Sequence, residues 1–216
     1  MLLAEDLLLL SYDDDTGRKS GVGNLDYALA GAVLIELAER GRLDVTEKGR
    51  LTLTDDAPTG ETVLDDWLGK AAKYEGKKPK DAVPSLSSGL ADRLFAMLAE
   101  RGILREEKGK VLGIFPTTRW PAQDTSHELA LRERLRAVLV DGADPDERTA
   151  PLIALLSAVD AVGEVVDKHE RKDAKQRAAQ IAEGNWASAE TKKAVEELTA
   201  AVVVAVVVPA AIAGTS

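Results

Sequence analysis

The chain has no cysteine, only two histidines, and aromatic residues at 4% of its length. The lack of cysteine excludes disulfides, thiolate metal ligands and cysteine nucleophiles, and suits a reducing compartment. His127 stands at a predicted helix start and His169 in the charged run Lys168-His169-Glu170-Arg171-Lys172. Neither has a metal-ligand spacing such as His-Glu-x-x-His, so both are expected at the surface and no metal or other cofactor is implied. There is no Gly-x-Ser-x-Gly nucleophile elbow and no Walker A loop. Positive charge is also short: the net charge is −9 and the pI is near 4.9. A general nucleic-acid binder is thereby disfavoured, and contact with anions would need a local basic patch acting within a Debye length of about 8 Å. Long apolar runs are missing too, since a spanning helix needs about 20 apolar residues. The most hydrophobic stretch, Ala200 to Ala213, has 14 residues and contains Pro209, so it is expected as a buried bundle helix. Met1-Leu2-Leu3-Ala4-Glu5-Asp6 has no basic leader region, which places the chain in the cytoplasm.

What is abundant is alanine, 33 residues of 216, with hydrophobic residues at 45% and charged residues at 30%. Alanine is the best intrinsic helix former, so the expected fold is mainly α: one domain over 1–216, a helical bundle with two small β-hairpins following helices in the first half. Leu7 to Leu10 starts a short apolar helix. Asn24 to Arg40, with Leu25, Leu29, Val33, Leu34 and Leu37 and a closing Gly41, predicts a central one. Leu43-Asp44-Val45 and Leu51-Thr52-Leu53 around Glu47-Lys48-Gly49 predict a hairpin with its turn at Gly49. A helix with Val63, Leu64, Trp67 and Leu68 comes next, then a lysine-rich exposed connection, Lys70 to Lys80. Another helix is predicted from Pro84 to Gly102, followed by a hairpin of Ile103-Leu104-Arg105 with Val111-Leu112-Gly113-Ile114-Phe115 around Lys108-Gly109. Leu37-Ala38-Glu39-Arg40-Gly41 recurs as Leu98-Ala99-Glu100-Arg101-Gly102, and the Glu-Lys-Gly of 47–49 recurs at 107–109, which predicts two repeated helix-then-hairpin units. The second half is helical throughout: 126–140 with a Thr125/Glu128 capping box, a helix opened by Pro151, a charged helix over 168–183, and a last one from Ser188.

Catalysis has little to stand on. Asp55-Asp56 sits in a turn, and Asp65 and Asp66 are helix neighbours projecting about 100° apart, so both pairs read as solvated charge. Two places invite a binding role. Thr16-Gly17-Arg18-Lys19-Ser20-Gly21-Val22-Gly23 puts three glycines, Arg18 and Lys19 before a helix start, where backbone N–H groups can receive a phosphate. Val111, Leu112, Ile114 and Phe115, near Trp120, lie beside Lys108 and Lys110, a combination of insertable and cationic side chains that suits an anionic membrane surface.

The order of these pieces resembles the Golgi phosphoprotein 3 family. The resemblance rests on Leu7 to Leu10, on Leu29 to Leu43, on Asp56-Ala57-Pro58-Thr59-Gly60 with Leu64-Asp65, and on Arg93-Leu94 with Glu100 to Leu104. It continues through the hairpin and the Leu152-Ile153-Ala154-Leu155 helix. It implies a largely helical domain that docks on membranes by binding phosphatidylinositol 4-phosphate, with an apolar hairpin dipping into the bilayer, and a non-enzymatic adaptor role. Aligned without gaps, Gly21, Ala30, Ser88 and Ala91 stand where the family's lipid pocket has its tryptophan and three arginines, so none of those residues carries over. The basic N-terminal extension of the eukaryotic members is not seen ahead of Met1 either. Val111, Leu112, Ile114 and Phe115 match the membrane-inserting element, and Arg18 and Lys19 are the cations bordering the pocket, expected to contact an anionic lipid headgroup.

Two other classes compete with the adaptor. Winged-helix units would bind DNA, but the 84–101 helix carries only Arg93 and Arg101 as cations against Asp92 and Glu100, and a recognition helix should be rich in both Lys and Arg. A protein-only scaffold would oligomerise through the apolar 200–213 helix.

Overall fold

In a computed structural model of the chain, the described residues are 1–13, 18–19, 24–111, 115–183 and 190–213. The mainly α expectation is met. Among them run helices α1 (Leu3–Leu10), α2 (Leu25–Glu39), α3 (Thr62–Ala71), α4 (Pro79–Ser87), α5 (Leu90–Glu100), α6 (Ser126–Leu139), α7 (Thr149–Ala158), α8 (Arg171–Ala182) and α9 (Glu190–Ala213). Three antiparallel strand pairs accompany them: β1 (Tyr12–Asp13) with β2 (Arg18–Lys19), β3 (Leu43–Val45) with β4 (Leu51–Leu53), and β5 (Glu107–Val111) with β6 (Phe115–Arg119). The first of these pairs was not expected from the sequence.

Helix α2 is apolar on every side, and every residue from Ala28 to Ala38 is buried. A helix of that composition can only sit inside a bundle. It does so here, with α1, α4, α5, α7 and α9 packed around it. At Gly31 the two helices approach so closely that an added Cβ would lie 2.1 Å from Cγ1 of Val202 in α9. Glycine therefore sets the α2–α9 spacing. The expected burial of the 200–213 stretch holds on one face only: Val202, Ala205 and Val206 are buried, whereas Val204 and Val207 are exposed, and the backbone stays helical through Pro209 to Ala213. No helix, among the described residues, is long and apolar enough to cross a membrane.

The repeated Leu-Ala-Glu-Arg-Gly segments form the same local structure. Gly41 and Gly102 take φ of +66° and +73°. In each case the next N–H reaches back across the cap, Arg42 N to Leu37 O at 2.8 Å and Ile103 N to Leu98 O at 2.9 Å, as in a Schellman motif. The repetition ends there. Gly49 lies in a turn with φ of +65°, whereas Gly109 lies within β5, opposite Thr117.

Three boundaries differ from expectation. The 84–102 helix is two helices, α4 and α5, parted where Ser88 turns extended and Gly89 takes φ of +73°. Pro79 holds the first position of α4, and Pro84 lies within that helix. The second hairpin is displaced along the chain: Glu107 pairs with Arg119 and Val111 with Phe115, so the predicted turn at Lys108-Gly109 is strand. Apolar alternation pointed to the wrong residues because this ribbon is exposed at Glu107, Lys108 and Gly109 and pairs polar residues along much of its length. Leu104 forms only a single bridge to Ala122. The Thr125/Glu128 capping box does not form either. Asp124 Oδ1 accepts the Ser126 N–H at 2.9 Å, and Glu128 pairs with Arg132 at 2.7 Å.

Candidate functional site

The two predicted binding elements converge on one residue of α5. Tyr12 of β1, the register partner of Lys19, packs edge-on against Phe95, with ring centroids 4.8 Å apart and planes at 81°. Trp120, immediately after β6, stacks on the same Phe95 at 5.0 Å and 5°. Aromatic pairs of this kind add about 0.5–1.5 kcal/mol each beyond area burial. The strand pair carrying Arg18 and Lys19 and the ribbon carrying Val111 and Phe115 are thus both anchored on Phe95 of α5, through Tyr12 and Trp120. For Arg18, Lys19, Val111 and Phe115 the description stops at the backbone, while Leu112 and Ile114 lie outside the described residues. Val111 and Phe115 do not sit in one strand as expected but are register partners at the end of the described ribbon.

Two of the positions that the resemblance assigns to the lipid pocket flank the start of α5. Ser88 is exposed between α4 and α5, and Ala91 is half-buried in the first turn of α5, one turn before Phe95. Ala30 is fully buried in α2, and Gly21 lies outside the described residues. Two carboxylates act on Tyr12. Burial pushes the Tyr12 phenol above its ordinary range, and Asp26 and Asp92 push it further the same way. Those aspartates occupy the first turns of α2 and α5, where they also complement the helix dipoles.

A second concentration of charge, at the base of α1, was not foreseen. Glu5 and Asp6 are fully buried and Glu36 is 4% exposed. Glu36 Oε2 accepts the Leu3 N–H at 2.8 Å, and Glu5 Oε2 accepts the Leu2 N–H, also at 2.8 Å. These carboxylates thereby satisfy the free donors at the start of α1. Their partners come from four directions. Arg101 pairs with Glu5, Arg40 with Glu36 at 3.1 Å, His127 with Asp6 at 2.7 Å, and Arg148 with both Asp6 at 3.4 Å and Glu36 at 3.2 Å. Arg148 also donates to Met1 O at 2.6 Å. Burial opposes its charge, but Glu36, Asp6 and Glu39 outweigh that and hold its pKa above the ordinary value. Burial, helped by Glu36 and Glu147 and opposed by Arg148 and Arg40, pushes the Glu39 carboxyl up to about 7. His127 is therefore not the surface residue expected but one third exposed and packed on a buried carboxylate. The signal for this knot was present in the sequence as acids inside apolar runs, Leu-Leu-Ala-Glu-Asp-Leu-Leu and Leu-Ile-Glu-Leu. With its acids spent on α1 and on arginines, the knot is a structural clasp.

The remaining candidates also have structural partners. Asp65 accepts the Thr59 N–H at 2.6 Å and hydroxyl at 2.7 Å, and Arg42 pairs with Asp55 and reaches Pro58 O at 3.4 Å. The Asp-Ala-Pro-Thr-Gly stretch is a braced loop, while Asp56 and Asp66 are exposed as expected of solvated charge. Asp167, His169 and Glu170 bring potential ligand atoms within 4.8 Å of one another. Glu170, however, already accepts from Arg136 at 2.5 Å and from the Asp167 N–H at 3.2 Å, and that guanidinium opposes a cation. A shallow groove of about 360 Å³ beside it is lined by Leu129, Arg132, Arg136 and Val165. Both of its arginines are already paired with carboxylates.

The profile of the family described as Golgi phosphoprotein 3 (GPP34) matches residues 3–198. The chain belongs to the Golgi phosphoprotein 3 family. It is 30% identical over 167 residues to vacuolar protein sorting-associated protein 74 of Eremothecium gossypii, a stretch covering 65% of this chain and 49% of that one. Against the protein of the same name in Schizosaccharomyces pombe the identity is 29% over 163 residues, 64% of this chain and 48% of the relative. The chain spans about half the length of these relatives. Within the family frame, the braced 55–65 loop, the two Leu-Ala-Glu-Arg-Gly caps and the Arg101–Glu5 pair explain why the most recognisable residues are fold-bearing.

Proposed function

We propose that this chain is a non-enzymatic peripheral adaptor of the Golgi phosphoprotein 3 family, one domain over 1–216, that acts at the cytoplasmic face of a membrane by contacting anionic lipid. The family match over 3–198 carries this reading, and the names of its relatives tie them to vacuolar protein sorting. The single core cluster running from Leu2 to Val206 supports one domain. The convergence of β1–β2 and β5–β6 on Phe95 supports one lipid-facing end, with Arg18 and Lys19 at the headgroups and Val111, Leu112, Ile114 and Phe115 at the bilayer.

The family's lipid pocket does not carry over with the fold. Charge-assisted bonds to a headgroup phosphate are worth about 1.5–3 kcal/mol each, and alanine, serine and glycine supply none. With Asp26 and Asp92 beside Tyr12, selective phosphatidylinositol 4-phosphate binding gives way to general attraction to anionic lipid. Liposome flotation of the wild type and of Arg18→Ala/Lys19→Ala, on neutral and on anionic vesicles, tests this. Recovery that rises with anionic lipid and falls in the variant is expected. Equal recovery in every sample contradicts it.

A further inference from the structure

Ion pairing divides the described cations by place in the fold rather than by residue type, since Lys108 and Lys175 are paired with Glu106 and Asp160. Arg40, Arg42, Arg101, Arg105, Arg132, Arg136 and Arg148 are all paired with carboxylates. Lys70, Lys73, Lys77, Lys78 and Lys80 form no ion pair among the described residues, and the last four are exposed. From Trp67 to Asp81 these five lysines face only Glu75 and Asp81, a local net charge of +3, so the rest of the chain carries −12. The other unpaired lysine run, around Lys168 and Lys172, is interleaved with Asp167, Glu170 and Asp173.

The lysine segment is held in shape. Leu51 N donates to Lys77 O and Gly76 N to Leu51 O, each at 2.8 Å, which ties it to β4. Arg50 Nη1 donates to Gly76 O at 2.6 Å, and Asp81 Oδ2 accepts the Lys78 N–H at 3.2 Å. Lys70 Nζ sits 3.4 Å from the centroid of the Trp67 ring, whose indole N–H is fixed on Leu86 O at 2.6 Å. The lysines therefore project from a braced corner between α3 and α4 rather than from a loose tail.

We infer that this corner, Lys70 to Lys80, is a second anionic contact that docks and orients the protein on a negatively charged lipid surface, compensating for the cations missing at the α5 end. The inference rests on the membrane reading above. Lysine ammonium groups are compact, hydrated point charges suited to a diffuse field of lipid phosphates, whereas a bidentate site would call for arginine. A long polyanion such as nucleic acid would run from the corner into the −12 remainder, while a planar surface can be met by the positive corner alone.

The test is flotation on phosphatidylcholine vesicles with and without phosphatidylserine. It compares the wild type, Lys73→Glu/Lys77→Glu, and a control with the same charge change, Lys168→Glu/Lys172→Glu, each checked by thermal unfolding. The corner variant is expected to lose binding by about tenfold or more, and the control to stay within about twofold. If the wild type binds anionic vesicles and the corner variant binds equally well, the corner is overturned and the membrane reading stands. If the wild type ignores anionic vesicles, both fall. If the corner lysines govern retention on heparin but not on vesicles, the partner is a soluble polyanion and the inference fails.

Discussion

The knot at the base of α1 and the corner between α3 and α4 use charge in opposite ways. In the knot, Glu5, Asp6 and Glu36 are buried and met by Arg40, Arg101, His127 and Arg148. In the corner, five lysines go without a carboxylate partner in the described structure. Buried ions must be paired, or the desolvation cost of each stays uncompensated. Exposed lysines carry no such penalty and leave their charge available to a partner. The difference separates charge that specifies the fold from charge that can act on the surroundings, and each side of it can be broken alone.

Arg148→Ala attacks the knot most directly, because it leaves Asp6 and Glu36 buried with fewer counter-ions. Its side chain is one third exposed, which tempers the cost to about 2–4 kcal/mol, read from urea unfolding. An apolar benchmark is Gly31→Ala, whose Cβ would overlap Val202. It should cost about 1–3 kcal/mol and be partly rescued by Val202→Ala in the same chain.

Glu39 sharpens the comparison through pH. Its folded pKa of about 7 lies above the ordinary 4.5, so the folded state holds a proton that the unfolded state releases. Its contribution to stability rises as pH falls from about 7 towards 4.5 and is lost as pH rises through 7. Glu39→Gln should therefore stabilise the protein at pH 8, on the order of 1–2 kcal/mol, and change little at pH 5, as seen in melting temperatures at the two values. The smallest effect belongs to the corner: Lys73→Glu/Lys77→Glu should unfold within about 0.5 kcal/mol of the wild type.

Much of the fold was legible because its signals were local. Periodicity marked α2 and α3, Pro151 with the apolar run after it marked α7, and the glycines at 41 and 102 marked the caps where two helices end. The break at Gly89 was missed because the apolar spacing of Leu86, Leu90 and Leu94 continues across it, and a left-handed glycine leaves no mark on that spacing. The ribbon was displaced because pattern reading assumes strands face a core. The cations of the predicted lipid contact were visible as sequence. The knot was hidden because its partners come from residues 5, 36, 101, 127 and 148, brought together only by the packing of five segments.

The family fold is kept, and we propose that headgroup selectivity is not. Wild-type binding to vesicles carrying phosphatidylinositol 4-phosphate, compared with phosphatidylserine vesicles at matched total charge, tests it most directly. The account predicts affinities that agree within about twofold and weaken together as salt is raised. A tenfold or larger preference for the phosphoinositide, about 1.4 kcal/mol and the scale of one charge-assisted bond, would contradict it.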